Sequence, residues 1–249
     1  MKDKNIVLQL KSSDELISFL KRFSSITGSL LIEFEDGFIK AKSHTPERSV
    51  VKSSKIALDT IFNLEEGETV QNTKFGIYSV DRLIKSFSHF GDSSIQFILD
   101  LEQSQDGIVG TGITLKNESL DINYQCASLR LFTYISDEMM DKITDNSSSA
   151  IDFVLTKEIQ ARINSLTSID ADQKLLTISI KKGLVKASGK SFNLNLLNVD
   201  DTSIDTALSV YKSQFALLDK EDQKIFMVDD RLIFHSLETD TKMIVGKAE

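Results

Sequence analysis

The 249-residue sequence is poor in the residues that mark disulfides, linkers and membranes. Its one cysteine, Cys126, excludes an intramolecular disulfide, and apolar neighbours favour a buried side chain over a reactive thiol. One proline and eleven glycines argue against flexible or proline-rich linkers. No apolar run approaches the roughly eighteen residues of a membrane-spanning helix, and the first residues lack a secretion signal. We therefore expect a cytoplasmic protein with no membrane segment.

Net charge restricts how this chain could meet a nucleic acid. The formal charge is −8, which excludes a basic footprint over the whole surface. Any contact with DNA must therefore come from a local basic patch. The length allows one large domain or two domains of ordinary size.

The segment from residue 75 to 101 reads as strand, helix, strand. Ser79 is a suitable N-cap, because its hydroxyl can accept a hydrogen bond from the first helical turn. Ile95, Phe97 and Leu99 then alternate with other residues as in a half-buried strand. The helix between them has apolar residues at steps of three and four, which form one buried stripe: Val80, Leu83, Ile84, Phe87 and Phe90.

This pattern recurs along the chain. Helices are predicted to begin near residues 14, 80, 156 and 211, the last over Tyr211–Leu218, each between a short strand and a run of alternating strands. Asp36-Gly37 and Lys182-Gly183 predict tight hairpins, because such turns need positive φ. The result is a fourfold repeat with two units per domain. Few helices among many strands predict an α+β fold with antiparallel sheets and helices on one face.

The segment 128–149 follows neither the helical nor the strand period. We interpret it as a connector, which gives an N-terminal domain over 1–130, a connector over 131–149 and a C-terminal domain over 150–249. The residues Ile56–Phe62 are predicted to form another strand.

No motif in the sequence indicates an enzyme, a metal or a cofactor. Ser188-Gly189-Lys190-Ser191 lacks the glycine that a phosphate loop needs at position 184, and it lies between two strands. His44, His89 and His235 have no partners at metal-ligand spacing. The carboxylates are scattered over turns and helix starts, although the sequence alone does not exclude a catalytic pair. We expect a non-enzymatic protein without cofactor or metal.

In length and in the order of these patterns, the chain resembles the two-domain sliding clamps of DNA replication. The resemblance is to clamps of the proliferating-cell-nuclear-antigen type and, more closely, to those of T-even-type tailed phages. It is carried by FGIYSVDRLIKSFSHFGDSSIQF from residue 75, by IQARINSL followed by LLTISIKKGLVKASG, and by the closing strand KMIVGKA.

The resemblance implies a DNA clamp fold in which three copies form a ring around double-stranded DNA, lined by the helices. Such a homotrimer would tether the DNA polymerase and would be opened by a separate clamp loader, in the cytoplasm of an infected bacterial host if the protein is viral. The four helices carry seven bases and four acids, a net +3, which leaves −11 elsewhere. Compensation of helix dipoles would explain the same distribution, so this alternative stays open. The implied DNA-binding residues are Lys21, Arg22, Arg82, Lys85, Lys157, Arg162 and Lys212.

Partner proteins are expected, by the same resemblance, to insert a short peptide with apolar anchors into a groove. Edge strands over 120–125 of one copy and 192–197 of the next are expected to join the subunits. The alternative function is a β-rich oligomeric phage structural or virion protein without a DNA role. The groove residues are Leu129, Leu131, Phe132, Met243, Ile244 and Val245, each of which could instead fill a core.

Overall fold

The computed structural model describes residues 5–65, 69–91, 93–105, 107–169, 172–200 and 203–248. The chain divides into two compact units. Unit 1 runs to Ser43 and again over Ser53–Ile135, whereas unit 2 contains His44–Lys52 and the chain from Ser136 onward. A nine-residue stretch of the N-terminal half thus belongs to the C-terminal unit. Within the described ranges, no helix is long and apolar enough to cross a membrane.

The chain up to Ile135 is mostly strand. Its elements are β1 (Asn5–Leu10), α1 (Ser13–Ser24), β2 (Leu30–Glu35), β3 (Phe38–His44), β4 (Val50–Ala57), α2 (Leu58–Ile61), β5 (Phe62–Asn63), β6 (Thr73–Ile77), α3 (Val80–Phe87), β7 (Gln96–Ser104), β8 (Gly107–Lys116), β9 (Asp121–Gln125) and a 3₁₀ turn over Leu129–Leu131.

The remainder of the chain has a similar composition of elements. They are α4 (Asp137–Ile143), β10 (Ile151–Leu155), α5 (Lys157–Ser168), β11 (Leu175–Lys181), β12 (Leu184–Ser188), β13 (Asn193–Asn198), β14 (Asp205–Tyr211), α6 (Lys212–Phe215), β15 (Gln223–Val228), β16 (Arg231–Ser236) and β17 (Asp240–Gly246).

A strand–helix–three-strand repeat occurs four times, as the sequence pattern predicts. The four repeats are β1-α1-β2-β3-β4, β6-α3-β7-β8-β9, β10-α5-β11-β12-β13 and β14-α6-β15-β16-β17. The fold is therefore α+β, with two similar units of two repeats each. The additional helices α2 and α4 lie between repeats.

Within each unit the two repeats exchange their first strands. In unit 1, β1 pairs with β7 and β6 pairs with β2; in unit 2, β10 pairs with β15 and β14 pairs with β11. Each pair is antiparallel, so every repeat completes the sheet of the other.

Two tight hairpins have the backbone that their sequences predict. Asp36 and Gly37 have φ of 53° and 80°, and Lys182 and Gly183 have φ of 51° and 74°. Two successive positive φ values match the right-handed twist of the flanking strands, and glycine tolerates them without steric cost. These turns fix the registers of β2 with β3 and of β11 with β12.

Each unit has its own apolar core. In unit 1, four phenylalanine rings contact one another with centroids 5.1 to 6.4 Å apart. In unit 2, Phe215 packs edge-on against Phe234 at 6.3 Å. Edge-to-face pairs of this kind add about 0.5–1.5 kcal/mol each beyond the burial of their area. The unit 1 rings are Phe34, Phe62, Phe75 and Phe97.

Three local predictions were wrong. The expected strand over 56–62 contains the helical turn α2, whose Leu58 and Ile61 are buried. The fourth repeat helix is the single turn α6 rather than the eight residues of Tyr211–Leu218. The segment interpreted as an irregular connector contains α4, which Ser136 caps by accepting a hydrogen bond from Met139 N at 3.1 Å. A serine followed by two acids was the signal for that helix.

Candidate nucleic-acid interface and partner surface

The first helix, α1, presents its bases opposite its buried stripe. Ser12 caps it by accepting from Glu15 N at 3.3 Å. Lys21 is exposed and Arg22 is half-buried, because the spacing of the buried residues leaves only one face to water. The buried residues are Leu16, Phe19, Leu20 and Phe23.

The second repeat helix, α3, packs against α1 and presents two exposed bases, Arg82 and Lys85. Ser79 caps it by accepting from Arg82 N at 3.3 Å. Tyr124 of β9 fixes this helix start, because Ser79 N donates to the Tyr124 hydroxyl at 2.7 Å. The Arg82 guanidinium lies 5.9 Å from the centre of the same ring. Tyr124 thus positions a predicted DNA-binding residue, a role that its place in the sequence did not reveal.

Two backbone amides at the N-terminus of the third repeat helix, α5, donate hydrogen bonds to side chains. Thr156 accepts from Ile159 N at 3.3 Å, and Asp222 accepts from Lys157 N at 2.8 Å. The predicted bases Lys157 and Arg162 are exposed. Small and polar residues, among them Ser165, occupy the rest of that face, which leaves both basic groups accessible to a ligand in water.

Lys212 differs from the other predicted bases. Its side chain is half-buried, and its ammonium donates to Thr167 O in the last turn of α5 at 3.4 Å. A cation at this position also compensates the dipole at the C-terminus of α5. Its backbone amide donates to Lys174 O at 2.8 Å, which brings the exposed Lys174 to the start of α6. Lys174 is a basic residue of this region that the sequence pattern missed.

The net charge of the repeat helices is the same with the observed helix bounds as with the predicted ones. All seven predicted bases and all four acids lie within α1, α3, α5 and α6, so the net charge remains +3. In unit 1, α1 packs against α3. In unit 2, the contact of Lys212 with Thr167 links α6 to α5.

The segment that leads into the connector lies against β6. Ala127 N donates to Gly76 O at 2.8 Å, and the Phe132 ring lies on the Gly76 backbone. A Cβ atom at Gly76 would lie 2.5 Å from Phe132 Cε2, so only glycine leaves room for the ring. Phe132 is therefore held on unit 1, whereas Leu131 is 66% exposed beside it.

Two lysines hold the end of this segment. The ammonium of Lys74 lies 4.3 Å from the Tyr134 ring centre and 2.7 Å from Glu33 Oε1, while Lys42 donates to Ile135 O at 3.1 Å. Burial alone lowers the pKa of Lys74, but the hydrogen bond and charge of Glu33, with Tyr134, hold that pKa above its ordinary value. The cation over Tyr134 is therefore a stable anchor at neutral pH.

A cavity of about 750 Å³ lies beside the connector in unit 1. It is bounded by the end of β9, by the start of β8 and by residues 126–130, which precede the connector. Tyr78 and Leu129 supply apolar surface, and Gln103 and Gln125 supply amides. Cys126 also lines it, and burial raises the pKa of this thiol to about 12, so it is no nucleophile near neutral pH.

The C-terminal groove residues lie within a sheet. Met243, Ile244 and Val245 of β17 face Phe234, Ile233 and Leu232 of β16. All three are buried, with at most 6% of their surface exposed. Of the six predicted groove residues, Leu131 is thus the one with a largely exposed side chain.

Strands β9 and β13 each lie at an edge of a sheet. β9 pairs with β8, and β13 is the last strand of the order β13-β12-β11-β14. In unit 2, by contrast, the fourth strand of the last repeat, β17, lies beside Val50–Lys52, and Gly246 N donates to Ser49 O at 2.8 Å. Among the described strands, β9 and β13 therefore each keep one edge of backbone groups for another chain.

The segment 188–191, whose sequence resembles part of a phosphate loop, connects two strands. Gly189 N donates to Phe192 O at 3.0 Å between β12 and β13. A phosphate loop instead places its amides at the start of a helix. Within the described ranges, no three His, Cys, Asp or Glu side chains are grouped so that they could hold a metal ion.

Comparison with known proteins gives structural but not sequence relatives. No protein-family model matches the sequence, and no curated protein matches it. The DNA polymerase III beta chain of Streptococcus pneumoniae TIGR4 superimposes with a TM-score of 0.68 at 12% identity, over 98% of this chain and 65% of that chain. The Pseudomonas aeruginosa DnaN sliding clamp bound to griselimycin gives 0.66 at 8% identity, and the DNA polymerase III subunit beta of that organism gives 0.65 at 10%.

These likenesses establish the fold. The chain adopts the sliding-clamp fold, and it spans about 64–65% of the length of the clamps it matches. At such low identity the match extends to backbone arrangement alone.

Proposed function

We propose that this chain is a DNA sliding clamp of the two-domain type, three copies of which close around duplex DNA and tether a DNA polymerase. The observation that carries the proposal is the fourfold repeat in the sliding-clamp fold, with a base-bearing helix in every repeat. An acidic chain with a local net charge of +3 on those helices attracts phosphates there and repels them elsewhere.

The clamp acts by topology rather than by tight binding. Exposed lysine and arginine side chains exchange phosphate partners through water, which lets a closed ring slide. A polymerase attached to that ring meets the primer end at an effective concentration near the millimolar scale of short linkers. The chain itself is proposed to be non-enzymatic, and a separate ATP-driven clamp loader opens the ring.

The ring is proposed to close through β9 of one copy and β13 of the next. These are the fourth strands of repeats two and three, and each lies at an edge of its sheet among the described strands. Pairing of β9 with β13 between copies is head-to-tail, and such interfaces generate rings. Three two-unit copies would present twelve repeat helices.

Cross-linking of engineered cysteines tests this assembly. We expect the double variant Asn123→Cys, Asn195→Cys to give a covalent trimer and no larger species with a short bis-maleimide, because both positions are exposed on the two edges. Denaturing gels measure the product. A ring that is cross-linked after loading onto nicked circular DNA should stay there in high salt and leave after linearisation.

Each single-cysteine variant is the matched control. In a head-to-tail ring neither cysteine meets its own copy, so each single variant should remain a monomer on the gel. A cross-linked dimer from either single variant, or a monomer from the double variant, would contradict the ring. A ring that never stays on DNA would favour the alternative, an oligomeric phage structural protein.

Partner binding is proposed to begin at the connector. Of the groove residues Leu129, Leu131, Phe132, Met243, Ile244 and Val245, Leu131 offers the most exposed side chain, next to the cavity that Leu129 lines. A short partner peptide gains most of its affinity from a few such anchors.

Leu131→Asp tests that assignment. We expect polymerase binding to weaken at least tenfold, since a charge replaces an apolar anchor. Surface plasmon resonance with immobilised clamp measures it. The control is Leu175→Asp, which changes another exposed leucine, on β11, in the same way. This variant should bind the polymerase normally. Equal binding by both variants would place the polymerase site elsewhere.

A further inference from the structure

Unit 2 has three basic side chains in one row across three neighbouring strands. The register places Lys224 opposite His235, and His235 opposite Lys242. Their side chains lie on the face of the sheet turned away from the core, because the next residue on each strand is buried. Those buried neighbours are Ile225, Phe234 and Met243.

The imidazole at the centre of the row has a defined environment. The His235 ring lies 4.9 Å from the Phe226 ring, and Lys224 Nζ lies 5.2 Å from the same ring and 2.7 Å from Asp152 Oδ2. His235 Nε2 is buried, and no group in the described part of the chain hydrogen-bonds to it. The charged groups facing it are Lys224 of β15, Lys242 and Asp240 of β17 and, beyond Lys224, Asp152 of β10.

Lys224 forms an ion pair within the fold, with Asp152, and Lys242 lies two strands away on the other side of His235. Protection of an exposed sheet edge does not explain them, because β15 and β16 are interior strands. The corresponding sheet of unit 1 carries a neutral row at aligned register on β1, β7, β8 and β9. That row is Val7, Ile98, Thr114 and Asn123.

Exposed apolar groups flank the row. Val154 lies opposite Lys224 and is 46% exposed. Leu237 comes directly after the end of β16, is 54% exposed, and donates its amide to Asp222 O at 2.9 Å. Cations bordered by aliphatic side chains match a ligand with both carboxylates and apolar groups.

We propose that the row Lys224, His235 and Lys242 is a docking site for an acidic, partly apolar protein segment. Two strand spacings separate the two lysines by about 9.5 Å, a span that their flexible side chains adjust to carboxylates on alternate residues of an extended peptide. A nucleic acid fits less well, because a phosphate backbone has no apolar group for Val154 and Leu237. The site is independent of the ring.

The imidazole makes this docking pH-dependent. Burial, and then Lys242 and Lys224, hold the pKa of His235 below its ordinary value, so the ring is neutral near pH 7. A bound carboxylate offsets that repulsion and favours the protonated ring. Affinity therefore rises as pH falls from 8 to 6, a range in which aspartates stay ionised.

Fluorescence anisotropy of a labelled hexapeptide of alternating aspartate and leucine tests the site on the full chain at low ionic strength. We expect Lys224→Gln, Lys242→Gln to weaken binding at least tenfold. Lys181→Gln, Lys186→Gln, which removes the same charge from the other sheet of unit 2, should change it less than twofold. His235→Gln should abolish a rise of about threefold between pH 8 and pH 6.

Three outcomes would overturn the proposal. The first is no binding by the unaltered chain, and the second is equal weakening by both lysine pairs, which would mean general charge attraction. The third is equal binding of a single-stranded oligonucleotide of the same charge that also depends on Lys224 and Lys242, which would make the row a phosphate site. Cross-linked and monomeric protein should give the same peptide affinity, so failure here is distinguishable from failure of the ring.

Discussion

Reversing Arg82, Lys85 and Lys157 to glutamate is expected to abolish stimulation of a DNA polymerase on primed circular DNA. These three bases are exposed on α3 and α5, and their reversal changes the net charge of the repeat helices from +3 to −3. Each lost phosphate contact removes counterion release, and each new carboxylate adds repulsion. Stimulation should fall at least tenfold, and the lifetime on circular DNA should fall with it.

The matched control reverses three exposed lysines outside these helices, Lys142, Lys181 and Lys247. It alters the total charge of the chain by the same amount and should leave stimulation within twofold of the unaltered protein. Both triple variants should still cross-link as trimers when the edge cysteines are added. Equal loss in both would mean that total charge, not the helix surface, controls DNA binding, whereas retained stimulation in the first would exclude a DNA role for α3 and α5.

The second large effect concerns a buried ion pair. Lys52 is 1% exposed, and its ammonium lies 2.7 Å from Asp219 Oδ1 and 3.4 Å from Leu217 O, all within unit 2. Asp219→Ala would leave the ammonium buried without its counter-charge. We expect a loss of about 3–5 kcal/mol in the free energy of unfolding of unit 2, measured by urea titration with circular dichroism.

The double variant Lys52→Met, Asp219→Leu distinguishes charge from packing. Because it removes both charges and keeps apolar volume, it should recover most of the stability lost in Asp219→Ala. A double variant as unstable as the single one would show that the pair contributes mainly through its shape and its hydrogen bonds. Lys181→Ala, which breaks an exposed pair with Asp205 at 3.8 Å, should cost less than about 1 kcal/mol.

Local signals in the sequence predicted most of the repeat. Ser79 caps its helix where the pattern placed it, and the two glycine hairpins turn at the expected residues. Such features depend on a few neighbouring residues, so a sequence window contains the information that they need.

Long-range pairing was not predictable in the same way. The exchange of first strands between repeats joins β1 to β7 and β10 to β15 across many residues, and alternating patterns do not name their partners. The transfer of His44–Lys52 to unit 2 was equally hidden, since a buried Lys52 looks like a surface residue until Asp219 is found beside it.

The candidate site shows the same difference between local features, which the sequence predicts, and long-range contacts, which it does not. Helical spacing indicates which side of a helix turns away from its buried stripe, and Lys21, Arg82, Lys85, Lys157 and Arg162 are exposed on their helices. It could not show that the Lys212 ammonium binds Thr167 O or that Phe132 lies on Gly76, because both contacts come from other elements. The DNA-binding and groove assignments themselves stay predictions for the experiments above.

The assignment of His44–Lys52 to unit 2 affects how this protein is made. These nine residues leave the ribosome about 190 residues before the end of β17, the strand beside which they finally lie, a delay of about 10–40 s at typical rates of synthesis. During that time Lys52, which is buried in the folded protein, is exposed to solvent. The strand that contains it has not yet met its partner strand. A stop codon after Ile135 would make the wait permanent, so the N-terminal half is a poor candidate for expression as a separate fragment.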